Sequence, residues 1–192
     1  MQVQDKIKKE LKDSIAAKEA LVRDPVALQT ISNIAESMVG ALREGGKILI
    51  CGNGGSASDA LHISGEIVGR FQKERKAYSA IALNADVATM TAIANDYGYG
   101  SVFSRQVEGL ATDKDILIGI STSGNSDNII RAFKKMHEIG GKTVLFSGRD
   151  GGKLKTMADL ALVVPCDVTA HIQEAHECVY HILCGLVEDM LS

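Results

Sequence analysis

The chain has 192 residues, a length that one domain with a sizeable core can fill. Its 21 basic and 24 acidic residues give a net charge of −3, which favours neither nucleic acid nor an anionic membrane as a partner. The amino terminus is charged and unlike a signal peptide, and no apolar run reaches the roughly 18 residues of a membrane span. We therefore expect a cytoplasmic protein whose four cysteines are reduced and buried.

Short aliphatic strands alternate with helical patterns along most of the chain. Two helices come first, at 5–22 and about 25–43, and Pro25 suits the first turn of the second one. The predicted strands are 48–50, 78–83, 115–120, 142–146 and 160–164. The later helices are predicted at 58–71, 86–94, 102–110, 126–138, 153–157 and 172–191. This alternation is typical of α/β proteins with a parallel sheet.

The predicted fold is a three-layer α/β sandwich, in which helices flank a five-stranded parallel sheet. The two leading helices have no sheet partner in a minimal unit of this kind. They either pack on the sheet or carry an oligomer interface, and we expect the second for at least part of them. Ile7, Leu11 and Ile15 share one face of the first helix.

Two segments rich in glycine and serine follow predicted strands in the same register. The first strand leads into Gly52-Asn53-Gly54-Gly55 and Ser56, and the third leads into Ser121-Thr122-Ser123 and Ser126. Glycine lets the backbone approach an anion closely, and the N–H groups at a helix start attract it. Because the carboxyl ends of parallel strands meet at one edge, we expect both loops to close on one phosphorylated ligand. Neither segment has the Walker A or the Rossmann glycine pattern, so a sugar phosphate is favoured over a nucleotide.

Histidines and acidic residues recur at helical spacing in two places. His62 and Glu66 lie four residues apart, on the helix that follows the first loop. A pair at this spacing binds a metal ion or places a base next to a donor. The last helix offers further candidates, among which the spacing does not choose: Gln173, Glu174, His176, Glu177 and His181. On an ideal helix Gln173 and His181 lie about 12 Å apart, so a shared metal would require a bend, a long reach or a second subunit.

Other polar residues have a less specific pattern. Asn95 and Asp96 follow a helical segment, and they suit a helix end and a ligand contact equally well. Arg70 suits a pair with Glu66 or a contact with the ligand. We expect His137 and His171 to be exposed.

Four segments carry a further signal: CGNGGSASDA, AIANDYG, ISTSGNS and IQEAH. In combination they resemble bacterial phosphoheptose isomerases (sedoheptulose 7-phosphate isomerases) of the sugar-isomerase (SIS) superfamily, over nearly the whole chain. The resemblance implies a single SIS domain at 1–192, with an oligomer-forming helical pair at 1–44 and a sugar-phosphate-binding core at 45–192. It also implies interconversion of sedoheptulose 7-phosphate and D-glycero-D-manno-heptose 7-phosphate through a cis-enediol, the first step toward the ADP-heptose precursor of lipopolysaccharide core.

The resemblance further implies a homotetramer with active sites between subunits and one zinc ion per subunit. The implied metal ligands are His62, Glu66, Gln173 and His181, of which Glu66 and His181 also resemble the acid/base pair. The implied substrate contacts are Asn53, Gly54, Gly55, Ser56, Glu66, Asn95, Asp96, Ser121, Thr122, Ser123, Ser126 and Gln173. One departure is visible: Ala170-His171 stands where many relatives have an acidic residue and then arginine, which puts one polar contact near the substrate in question.

Two other functions fit the same scaffold. One is a non-catalytic regulator of replication that binds DnaA, and the other is a different SIS-type sugar-phosphate enzyme. The joint presence of His62, Glu66 and His181 favours the isomerase over the regulator. The expected partners are a phosphorylated seven-carbon sugar and further copies of this chain, without nucleic acid or membrane.

Overall fold

The computed structural model describes residues 2–192, so the first residue of the predicted 1–192 domain lies outside it. Helices and strands alternate as predicted. In chain order the elements are α1 (Val3–Arg23), α2 (Pro25–Arg43), β1 (Ile48–Gly52), α3 (Gly55–Val68), β2 (Ala80–Ala82), α4 (Val87–Tyr97), α5 (Ser104–Leu110), β3 (Ile116–Ser121), α6 (Asp127–Ile139), β4 (Lys142–Gly148), α7 (Gly152–Lys155), β5 (Leu160–Val164) and α8 (Thr169–Leu191). A 3-10 turn at Tyr99–Ser101 lies between α4 and α5.

The five strands form one parallel sheet in the order β2-β1-β3-β4-β5. The direction of winding changes between β1 and β3, and every residue of these two strands is buried. A change of this kind leaves a crevice beyond the carboxyl ends of the two strands, where ligands bind in open α/β sheets. The predicted five-stranded α/β sandwich is therefore confirmed, and both glycine–serine loops lie at this crevice.

Alternate strand residues enter two separate hydrophobic clusters on the two faces of the sheet. Ile48 and Ile50 pack with apolar residues of α1, α2, α3 and α8. Leu49 and Cys51 pack instead with α5, α6 and α7. This alternation explains why the strands are aliphatic throughout, since each face of the sheet is covered by helices.

Several element boundaries differ from the prediction by a few residues. Helix α3 begins at Gly55 rather than Ser58, because Gly54 turns the chain with a φ of 60° and the helix starts directly after it. Helix α4 continues through Asn95 and Asp96 to Tyr97. Strand β2 is shorter than the predicted 78–83, because it lies at the sheet edge and pairs with β1 alone.

Helix α1 leaves its apolar stripe outside the core of this chain. Ala17 and Leu21 are buried, whereas the exposed fractions of Ile7, Leu11 and Ile15 are 53%, 61% and 55%. The helix packs on α8 and α2, and its buried apolar residues lie in its carboxyl-terminal half. Its amino-terminal half therefore presents a row of apolar side chains to the surroundings.

Two predictions of exposure or burial were wrong. His171 is buried rather than exposed, because α1 covers this part of α8 and the Glu10 side chain of α1 lies 3.4 Å from the His171 ring. Cys178 is exposed and Cys166 is half-buried, although all four cysteines are free and Cys51 and Cys184 are buried as predicted. Across residues 2–192, no helix combines the length and the apolar composition that a membrane span requires.

Candidate active site

The first loop makes a tight turn between β1 and α3. The Asn84 side chain holds Gly52, the first residue of this loop, through two hydrogen bonds. The Asn84 amide nitrogen donates to Gly52 O at 2.9 Å, and the Asn84 amide oxygen accepts from Gly52 N at 3.2 Å. A side chain at Gly52 would meet the backbone oxygen of Ser56 at 2.2 Å. The loop is therefore rigid where the ligand is expected, and only glycine fits at its start.

The second loop joins β3 to α6 and gathers several hydroxyl groups. Ser121 Oγ and Ser126 Oγ lie 2.9 Å apart, so the Ser126 side chain does not cap the helix that it precedes. Ser147 at the end of β4 supports the loop from below, since its hydroxyl donates to Ser121 O at 2.8 Å. Gly124 has a φ of 64°, and a side chain there would overlap Gly151 O at 1.8 Å.

The Asn53 side chain connects the two loops. Its amide group exchanges two hydrogen bonds with the Asn128 amide, at 3.0 and 2.9 Å. The Tyr99 hydroxyl also donates to Asn53 Oδ1, at 2.9 Å. Neither Asn128 nor Tyr99 was predicted from the sequence, although Asn128 stands two positions beyond the predicted Ser126 in the repeated loop pattern.

The two other polar candidates are hydrogen-bonded to each other and not to the loops. Asn95 and Asp96 are exposed on the last turn of α4, and they bond to each other at 2.8 Å. Within residues 2–192, no hydrogen bond joins them to another predicted site residue. The 3-10 turn that carries Tyr99 follows α4 and packs on it.

Three potential metal ligands converge where α3 and α8 lie side by side. One ligand atom from each of His62, Glu66 and His181 lies within 4.8 Å of the other two. His62 Nε2 is 3.1 Å from Glu66 Oε1 and 3.5 Å from His181 Nε2. Imidazole nitrogen and carboxylate oxygen are the donors that zinc accepts in catalytic sites, so these three side chains fit a zinc ion.

Aromatic side chains surround these three residues. The Tyr180 hydroxyl lies 2.9 Å from His62 Nδ1, and the Phe71 ring stacks on His181 with ring centroids 5.5 Å apart. Burial raises the pKa of Tyr180, and the charges of Glu177 and Asp59 raise it further, so the phenol keeps its proton. Neither aromatic residue was predicted from the sequence, because the two come from separate parts of the chain.

A buried carboxylate anchors the segment that carries Phe71. Glu188 on α8 accepts hydrogen bonds from the backbone nitrogens of Phe71, Gln72 and Lys73, and from Arg75 Nε at 2.9 Å. Burial alone would raise its pKa, but these hydrogen bonds lower the pKa of Glu188 to about 2. The position of Phe71 on His181 therefore depends on an ionised Glu188.

Gln173 does not lie with the other three predicted metal ligands. Its side-chain amide nitrogen sits 2.5 Å from the place where a Cβ of Gly55 would be, at the start of α3. His62 lies two turns further along α3, about 10 Å by helix rise. Gln173 therefore borders the first loop, and a shared ion would require its side chain to swing along α8 or a second subunit to supply it.

Asp59 lies between these two positions on α3 and has an unusual environment. Burial and the charge of Glu177 raise the pKa of Asp59 to about 6, although His62 acts in the opposite direction. Its Oδ2 atom is buried and has no hydrogen-bond partner among residues 2–192. Asp59 was not predicted from the sequence as a site residue, since an acidic residue near the start of a helix is common.

Known proteins resemble this chain in sequence and in structure. The SIS domain family model matches residues 6–148. A phosphoheptose isomerase from Helicobacter pylori is 52% identical over 178 residues, which cover 92% of this chain and 93% of that protein. The chain belongs to the phosphoheptose isomerase family. A relative from Thermodesulfovibrio yellowstonii is 49% identical over 191 residues, covering 100% of this chain and 94% of that protein.

A solved phosphoheptose isomerase from Neisseria gonorrhoeae matches with a TM-score of 0.92 and 40% identity, covering 98% of this chain and 100% of that one. These similarities confirm the predicted family, its SIS fold and an aldose–ketose isomerase as the type of enzyme. The candidate site of this chain thus combines two glycine–serine loops with the cluster of His62, Glu66 and His181.

Proposed function

We propose that this chain interconverts sedoheptulose 7-phosphate and D-glycero-D-manno-heptose 7-phosphate through a cis-enediol. The observation that carries the proposal is the convergence of His62, Glu66 and His181 within 4.8 Å. The first two lie on α3, which starts at the first loop, and His181 lies on α8. An isomerisation of this type needs a base at carbon and a proton carrier at the two oxygens. One carboxylate and two imidazoles in contact supply both functions.

The phosphate group is assigned to the second loop and the sugar to the first. Hydroxyls of the second loop face the start of α6, whose N–H groups attract an anion. The proposed substrate contacts remain Asn53, Gly54, Gly55, Ser56, Glu66, Asn95, Asp96, Ser121, Thr122, Ser123, Ser126 and Gln173. Gln173 fits this set because it borders Gly55 at the first loop.

Glu66 is proposed as the base that removes the proton from C1 of the ketose. Its carboxylate is half-buried and contacts His62 Nε2 at 3.1 Å. Within residues 2–192, no lysine or arginine forms an ion pair with the Glu66 carboxylate. His181 is proposed to move the proton between the oxygens on C1 and C2. Its ring is held against Phe71 and exposes an edge to the cluster. Groups placed in this way contribute roughly 100- to 10,000-fold each to the rate.

His62, Glu66 and His181 are proposed to hold one zinc ion per subunit, with Gln173 as the fourth ligand. When bound, zinc supplies Lewis-acid polarisation of the sugar oxygens. The proton transfers are assigned to the side chains of this chain. Glu66 has two oxygens, and in the proposed site one oxygen remains available to the substrate.

A homotetramer with active sites between subunits is proposed as the working form. The amino-terminal half of α1 exposes a row of apolar side chains, with exposed fractions of 77% for Val3 and 61% for Leu11. None of the residues Val87–Tyr97 of α4 is buried, although this helix follows the sheet edge next to the first loop. Helices of this kind are stabilised by contact with another subunit. We place the enzyme in the cytoplasm, where it would feed the synthesis of lipopolysaccharide core.

The test is turnover of sedoheptulose 7-phosphate by the purified tetramer, before and after chelation and after addition of zinc. Activity that falls on chelation and returns with zinc supports both the isomerase and the metal. Activity that is indifferent to chelation supports the isomerase and removes zinc from the mechanism. A folded tetramer without turnover in the presence of zinc would instead favour a regulator that binds DnaA, or an enzyme for another sugar phosphate.

A further inference from the structure

Tyr180 contacts the cluster of His62, Glu66 and His181 from inside the protein. Its side chain is 2% exposed, and its hydroxyl lies 2.9 Å from His62 Nδ1. The two rings meet edge to face, with centroids 5.3 Å apart and an interplanar angle of 72°. This contact turns the other nitrogen, His62 Nε2, toward Glu66 and His181.

In the metal-free protein, the contacts of His62 determine which nitrogen carries the ring proton. Nε2 lies 3.1 Å from Glu66 Oε1, and a carboxylate oxygen only accepts, so in a neutral His62 ring Nε2 carries the proton and donates the hydrogen bond. Nδ1 is then an acceptor. The Tyr180 hydroxyl must therefore donate to Nδ1 in this state.

The direction of this hydrogen bond must reverse when His62 binds a metal ion. When Nε2 holds the ion, the ring proton must be on Nδ1, which then donates. An Nδ1–H that is held against the buried Tyr180 ring and lacks an acceptor would cost free energy. A phenol hydroxyl both donates and accepts, so Tyr180 serves His62 in both states.

We propose that Tyr180 is a positioning residue that orients His62 and partners its Nδ1 in both the metal-free and the metal-bound state. This inference rests on the proposed metal site. It predicts that loss of the hydroxyl lowers zinc affinity about 10- to 100-fold, the usual effect of removing a hydrogen-bond partner of a metal-bound histidine.

The test compares Tyr180→Phe with Tyr78→Phe, which removes the hydroxyl of another buried tyrosine. Tyr78 suits this purpose because its ring packs against Arg75, with the guanidinium carbon 4.2 Å from the ring centroid, and it does not belong to the cluster. Zinc affinity is measured by competition with a chromophoric chelator. We expect it to fall in Tyr180→Phe and to equal the wild-type value in Tyr78→Phe. Equal zinc affinity in the wild type and Tyr180→Phe would overturn the inference.

Solid-state 15N NMR of histidine-labelled protein gives a second measurement that does not depend on activity. His62→Ala identifies the His62 signals among those of the five histidines. We expect the proton on Nε2 without metal and on Nδ1 with zinc, and a shifted Nδ1 signal in metal-free Tyr180→Phe. An Nδ1 signal that is the same in the wild type and Tyr180→Phe would contradict the contact.

The two measurements separate this inference from the metal site on which it rests. If His62→Ala binds zinc as tightly as the wild type, the proposed metal site is wrong. If His62→Ala loses zinc and Tyr180→Phe does not, the metal site stands and the role of Tyr180 is wrong.

Discussion

The side chains of Asn53 and Asn128 form a reciprocal amide pair between the two ligand loops, with N···O distances of 3.0 and 2.9 Å. Asn53 follows β1, and Asn128 lies in the first turn of α6 after β3. The pair therefore ties together the two strands between which the winding of the sheet changes direction. We expect the separation of the loops, and with it the size of the proposed sugar-phosphate site, to depend on this pair.

Asn128→Ala should raise the KM for the sugar phosphate about 10-fold with little change in secondary structure. The substitution removes two hydrogen bonds, each worth about 0.5–1.5 kcal/mol, and leaves the loops less ordered before binding. Steady-state kinetics measures the effect. Asn33→Ala is the matched control, because it breaks the Gln29–Asn33 amide contact of 2.9 Å on the exposed side of α2. If both variants have the same KM, the amide pair does not organise the site.

Glu66→Gln should lower kcat at least about 100-fold, because it keeps the shape of the side chain and removes the base. Zinc content is measured on the same samples, so that loss of the metal is not mistaken for loss of the base. Glu74→Gln is the control, since Glu74 is exposed and lies 3.7 Å from Arg70. A zinc-loaded Glu66→Gln enzyme with near-normal turnover would exclude Glu66 as the base.

His176 should make the protein less stable at mildly acidic pH. Its ring is fully buried and donates from Nε2 to Ser147 O at 3.0 Å. Burial lowers the pKa of His176 to about 4, although this hydrogen bond acts in the opposite direction. Between pH 6.5 and 4 the unfolded chain therefore binds a proton that the folded protein does not. The contribution of His176 to the free energy of unfolding should fall by about 3 kcal/mol as the pH falls through this window, and this contribution is fully present above pH 6.5.

Urea unfolding at several pH values measures this dependence. In His176→Gln we expect the slope between pH 4 and 6.5 to be smaller by the contribution of His176, because glutamine does not titrate. His137→Gln is the control, since His137 is exposed. An unchanged slope in His176→Gln would mean that His176 is already protonated in the folded protein.

Glu188→Gln should destabilise the protein by about 3–5 kcal/mol, because it leaves the charge of Arg75 buried without its partner. The two side chains are 1% and 5% exposed, and their contact distance is 2.9 Å. Asp189→Asn is a stringent control one residue away, because its ion pair with Lys73 is exposed and should contribute less than about 1 kcal/mol. Urea unfolding compares the two variants. Similar decreases in the free energy of unfolding would show that the buried pair contributes no more to stability than the exposed pair.

Local patterns in the sequence were enough to predict the fold and the family. The aliphatic strands show their burial directly, because a parallel strand covered on both faces needs apolar residues at every position. The two loops were recognisable from glycines and serines in the same register, and His62 and Glu66 from a spacing of one helical turn. Each of these signals lies within a few residues of the chain, where spacing and geometry are directly linked.

The contacts that complete the site depend on residues far apart in the chain. Asn53 meets Tyr99 and Asn128 across sequence separations of 46 and 75 residues, and His62 meets Tyr180 across 118. His171 was predicted to be exposed because nothing near it in sequence indicates that α1 covers it. Similarly, Gln173 borders Gly55 because α8 packs along α3. Helices pack by burying their apolar faces on the sheet. The packing of whole elements, and not local spacing in the sequence, therefore determines which polar side chains come into contact.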